Sequence, residues 1–171
     1  ILVGEGMGAA VAIEVANRAK VNVAGMVCVG SIGKSVDLSG EIEQLALIAA
    51  GKARRQFDST GYSPNTDEGV FRTAFAEWVK TDPRATVGAR RAQQKWNSDA
   101  DISKVATPVL VVIGEHTEAE YQNSAQEFAD ELPNGSATYL KGASRHAVIE
   151  NPAELSAAID EYIQGLGQRH D

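Results

Sequence analysis

With a single cysteine, Cys28, in 171 residues, the chain has no basis for an intrachain disulfide framework or a multi-cysteine zinc site. Cys28 sits in the apolar run Met26-Val27-Cys28-Val29, the setting of a small buried hydrophobe. No apolar stretch approaches the roughly 20 residues that span a bilayer. The amino terminus also lacks the basic segment that precedes the apolar core of a secretory signal. A membrane partner is therefore not expected, and a cytoplasmic location is. Basic residues are in deficit, 16 against 23 acidic, and the resulting net charge of −7 is spread along the chain. That balance argues against a nucleic-acid partner. Nothing in the residue spacing suggests a metal site or a bound cofactor. The chain does not open on methionine but inside the strand-like run Ile1-Leu2-Val3, which leads us to expect further sequence upstream.

What is present is ordinary globular material, 43% hydrophobic and 23% charged, in a chain long enough to bury one core. Ile1 to Val3 reads as the end of a buried strand. A glycine turn leads from it into a helix through about Lys20, with Val11, Ala12, Val15, Ala16 and Ala19 at helical spacing. Val23 to Val29 is a continuous apolar run that fits a strand covered on both faces. From Gly30 to about Ala100 the texture turns helical, with helices predicted over Glu41–Phe57, Asp67–Lys80 and Pro83–Trp96. Strand and helix alternate again from Val109–Ile113 through a helix near Tyr121–Leu132 to a strand at Ser136–Leu140. A last helix runs from Pro152 to about Gln164.

The turn Gly4-Glu5-Gly6-Met7-Gly8 between strand and helix allows two readings. A dinucleotide fingerprint needs Gly-x-Gly-x-x-Gly, but Ala9 stands where the third glycine belongs and no acidic residue closes the next strand. A nucleophile elbow needs small residues flanking a serine in a strained turn. The stretch Ile1-Leu2-Val3-Gly4-Glu5-Gly6-Met7-Gly8-Ala9-Ala10 resembles that elbow in the α/β-hydrolase superfamily, with Gly6 at the serine's place. Two further stretches carry the resemblance. Ala106 to Glu115 is similar to the strand and loop before the superfamily's catalytic acid, which places Thr117, not a carboxylate, at the acid position. Glu115, Glu118 and Glu120 lie beside it. Gly142-Ala143-Ser144-Arg145-His146 and the following Glu150-Asn151-Pro152 resemble the loop of the catalytic histidine, which places His146 there.

The resemblance implies an α/β fold with a mostly parallel sheet and helices on both faces, lacking the superfamily's first strands. It divides the chain into core over 1–30, a helical cap insertion over 31–100 and core again over 101–171. It also implies a ligand site at the carboxyl ends of the strands, under the cap, for which Met7, Trp78 and Trp96 are candidate contacts. Aromatic residues at helical spacing are more often plain core. Three functions stay open. The chain could be a non-catalytic binding or interaction module, a hydrolase of an ester, lactone or carbon-carbon bond whose serine has been replaced, or a non-hydrolytic enzyme using His146 as general base. The expected partners are a small molecule under the cap and a preceding segment or second chain that completes the sheet.

Overall fold

In the computed structural model, which describes residues 1–18, 22–30 and 36–167, side-chain alternation along the strands decides which helices cover each face of a single sheet. Four strands, β1 (Leu2–Glu5), β2 (Met26–Val29), β3 (Val109–Gly114) and β4 (Gly135–Leu140), lie in the order β1-β2-β3-β4, every neighbouring pair parallel. Gly4, Cys28, Val111 and Ala137 form one row across the sheet. Met26, Cys28, Val109, Val111 and Ile113 join Ala9, Ile13 and Phe128 in one buried cluster, which takes in helices α1 (Met7–Arg18) and α5 (Ala119–Glu131). The alternate residues Val27, Val29, Leu110 and Val112 meet Leu140, Ala147 and Leu155 in a second cluster, beneath α6 (Ala147–Glu150) and α7 (Pro152–Gly167). Both faces are covered, which is why β2 and β3 are buried at every position. Burial also pushes the Cys28 thiol up to about 12, so it is an inert core residue.

Between β2 and β3 stand α2 (Ser39–Ala49), α3 (Glu68–Lys80) and α4 (Pro83–Asp99). The starts of α3 and α4 were legible. Asp67 and Asp82 cap them through side-chain bonds from Gly69 N–H and Arg84 N–H, and Pro83 opens the first turn of α4. The helix predicted over Glu41–Phe57 stops instead at Ala49. Gly51, at φ +70°, takes the left-handed position, Lys52 N–H bonds Leu47 C=O and Gly51 N–H bonds Ile48 C=O, the two bonds of a Schellman ending. Residues 52–66 therefore run as a loop, and this difference builds the site described below.

Smaller differences follow from pairing. The predicted strand Val23–Val29 is regular only from Met26, although Val23 still packs on the first cluster. β4 starts one residue earlier than expected, at Gly135, and α5 starts earlier, at Ala119, while α4 and α7 run past their expected ends. The predicted end of the first helix near Lys20 and the tail from 168 onward lie outside the described residues. Among the described residues, no helix is long and apolar enough to cross a membrane.

Candidate active site

The three glycines at the junction of β1 and α1 have different reasons to be there. A Cβ on Gly4 would lie 2.3 Å from the carbonyl carbon and oxygen of Gly8, so only glycine lets strand and helix approach this closely. Gly6 adopts φ +52°, the left-handed region, while its N–H bonds Val29 C=O at 2.9 Å. A Cβ there would meet nothing within 4 Å. The turn thus has a left-handed backbone at Gly6, which glycine adopts without strain, and open space for a side chain that it does not carry. Gly8 has neither constraint, because its Cβ position is also empty and it sits in the first turn of α1.

Gly6 and His146 line the same cavity, of about 920 Å³, at the carboxyl ends of the strands. The loop that carries His146 approaches the elbow closely: the Cβ position of Gly30 lies 3.1 Å from Arg145 C=O and 4.0 Å from Gly6 N. Much of the wall comes from α2, α3, α4 and the 52–66 loop, including Leu45, Ile48, Phe57, Tyr62 and Trp78. Phe57 stands edge-on to Trp78 at 5.7 Å and 6.0 Å from Tyr62, whose ring lies 4.4 Å from the His146 imidazole. Neither α2 nor α3 contributes a fully buried residue. These aromatics form a half-exposed wall leading to the histidine, not a core of their own.

His146 is held below its ordinary 6.5, first by burial and then by Arg145 and Arg90, against the opposing pull of Glu150 and Asp58. A neutral imidazole at neutral pH can accept a proton. Glu5, beside Gly6, faces the cavity, yet crowding by protein and the Glu150 charge raise its carboxyl above the usual range. Asp58 is lowered: burial would raise it, but hydrogen bonds from Thr60 and the charges of Arg145 and His146 outweigh that. Arg145 links the acids, with its guanidinium 3.2 Å from Glu118 and 3.6 Å from Asp58, and it lies over the Tyr121 ring at 4.8 Å.

The other sequence candidates fall in different places. Trp78 joins His146 in the cavity, whereas Met7 and Trp96 line a separate apolar groove of about 500 Å³ between α1 and α4. There Trp96 donates to Glu14 at 2.8 Å and packs on the first core cluster. Thr117 is buried outside the cavity lining, its N–H bonded to Gly114 C=O at 3.1 Å. Of its acidic neighbours, Glu118 reaches the cavity, while Glu115 bonds Gly142 N–H at 3.1 Å. His116 is exposed and His170 lies outside the described residues. Asp58, Tyr62, Arg145 and Glu150 were not singled out by sequence reasoning. Gly51, as a helix-stop signal, would have pointed to the loop that brings the first two in.

The parallel sheet, the elbow and the histidine loop at its carboxyl edge define an α/β-hydrolase architecture. The alpha/beta hydrolase family profile matches residues 1–158, and the chain belongs to that family. Among solved structures it is similar to MenH from S. aureus, at 14% identity and a TM-score of 0.69 over 96% of this chain and 68% of that one. An esterase, EaEST from Exiguobacterium antarcticum, aligns at 12% identity and 0.73, covering 95% of this chain and 65% of its own. A bromoperoxidase from Bacillus anthracis aligns at 16% and 0.71, covering 95% and 66%. At such identities the likeness establishes the fold alone, and the chain spans about two-thirds of the length of these structures. No curated protein matches it by sequence.

Proposed function

We propose that this chain is a hydrolase-fold binding protein that holds a small, largely apolar molecule against His146 without forming a covalent serine adduct. The observation that carries this reading is Gly6, an elbow with room for a nucleophile and no side chain to supply one. Thr117, at the position the family resemblance gives the orienting acid, is a second departure. A triad works only as a unit. In this reading the 31–100 segment acts as the cap, and its aromatic wall supplies the apolar contact that small-molecule sites favour. MenH, an esterase and a bromoperoxidase share the fold, so the fold itself chooses no substrate.

The test is a fluorescence titration with aryl esters of increasing acyl length on a Trp96→Phe background, in which Trp78 is the remaining reporter. At least one ester is expected to give a saturable change and to be recovered intact. No saturation with any of them would remove the reading. A second reading is supported by the lowered, cavity-facing imidazole, which could act as general base on a bound substrate and contribute about 10²–10⁴-fold. Turnover that His146→Ala abolishes would replace the first reading with this one.

The proposal extends to the sheet edge. Among the described residues β1 pairs with β2 alone, and Val3, Met7, Val11 and Val15 are exposed beside it. An unpaired edge flanked by apolar surface recruits another strand. Residues 1–171 by themselves are expected to self-associate in light scattering coupled to size exclusion. A cooperatively melting monomer would contradict this.

A further inference from the structure

We infer that Glu150 is the positioning residue of the cavity's polar end: its carboxylate ties the 58–66 loop to the loop that carries His146 and so sets where Tyr62 stands over the imidazole. One oxygen accepts from Ser63 N–H and from Thr66 Oγ1 at 2.7 Å, and the other accepts from Ser144 N–H at 2.9 Å. Ser63 and Ser144 are both buried, so losing the acceptor would leave their amides unsatisfied. Glu150 is itself fixed to the histidine, because its N–H bonds His146 C=O at 3.0 Å.

The neighbouring contacts close the same seam. Arg145 N–H bonds Gly61 C=O at 3.1 Å, and a Cβ on Gly61 would lie 2.9 Å from the Arg145 guanidinium, so glycine is what lets that side chain in. Tyr62 is thus held between two pinned residues, Gly61 and Ser63. Its spacing from His146 decides how wide a group can reach the imidazole. The chemistry of the pin requires a carboxylate of this length. Both oxygens face donors, so glutamine would turn an NH₂ group against one of them, and aspartate is one methylene too short to span both loops.

This role rests on the ligand-binding reading only in what the spacing is for, and its test needs no ligand. Amide exchange and imidazole titration are followed by NMR in the full chain, in wild type, Glu150→Gln and Thr66→Val. In Glu150→Gln the amide left facing the NH₂ group, that of Ser63 or of Ser144, is expected to exchange at least about tenfold faster, the loss for a bond to a charged acceptor, while β3 amides keep their protection. The His146 titration should move to lower pH, because a carboxylate that favours the imidazolium is gone. Thr66→Val removes one contact from the loop side and should speed Ser63 alone. Should Glu150→Gln fail to fold, Thr66→Val decides the matter by its local effect. Unchanged exchange at Ser63 and Ser144, or an unmoved His146 titration, would overturn the assignment. A failed ester titration beside a confirmed exchange pattern would remove the ligand reading and leave the pin standing.

Discussion

If the chain binds without a covalent adduct, as proposed, Gly6→Ser is expected to give it the ability to form an acyl adduct. The Cβ position is free of contacts within 4 Å, and the backbone already holds φ +52°. A non-glycine residue there carries strain of about 1–3 kcal/mol, which elbows store at functional sites. His146 lines the same cavity with its affinity for protons lowered, so it is available as the base, worth about 10²–10⁴-fold. With Thr117 at the acid position, as proposed, turnover should then be limited, since losing the orienting acid costs about 10⁴-fold in a serine protease. With p-nitrophenyl butyrate, Gly6→Ser should release a burst of nitrophenol approaching one per chain, followed by a slow steady state. Adding Thr117→Asp should raise the steady rate at least about tenfold, the size expected if a carboxylate orients the imidazole. A folded Gly6→Ser variant with no burst above wild type would show that the elbow and the histidine do not form one site.

Gly4→Ala should be among the most destabilising single changes in the chain. Its new Cβ would sit 2.3 Å from the Gly8 carbonyl and 2.5 Å from Ala9 N, all backbone atoms at the start of α1. Backbone cannot swing aside as a side-chain tip can. The expected cost is about 3 kcal/mol or more, a drop of roughly 6–12 °C in melting temperature for a chain of this length. Gly8→Ala is the control, because its Cβ meets nothing within 4 Å and alanine is favoured in a helix by up to about 1 kcal/mol. It should melt at or slightly above wild type. A Gly4→Ala variant melting within about a degree of wild type would mean that the turn is not as tight as described.

The contrast between these glycines shows what a sequence can convey. Their pattern marks the turn, but which of them is needed for close approach, for backbone conformation or for neither depends on atoms brought together by folding. β2 and β3 were legible because strands buried on both faces read as unbroken apolar runs. α3 and α4 were legible because Asp67, Asp82 and Pro83 are local signals. The end of α2 was local too, in Gly51, which the helix predicted over Glu41–Phe57 ran through. The pairing of Ser63 with Glu150 spans 87 positions and has no local trace. Likewise, Trp78 and Trp96 are both aromatic residues on helices, yet one faces the cavity and the other packs against the core beside the α1 groove. The resemblance to hydrolases pointed to His146 and Gly6, which line one cavity. It could not locate Asp58, Tyr62 or the Glu150 pin, which come from contacts between the histidine loop and the 52–66 loop.

The absence of a nucleophile at position 6 is tested most directly by the intact mass of the wild-type chain after incubation with an alkyl fluorophosphonate. That reagent loses fluoride to an activated hydroxyl and leaves a covalent phosphonate. The expected result is the unmodified mass for wild type, and for the Gly6→Ser variant a single adduct that peptide mapping places at the substituted position. A stoichiometric adduct on wild type that His146→Ala prevents would show that another residue supplies the nucleophile and would contradict the account.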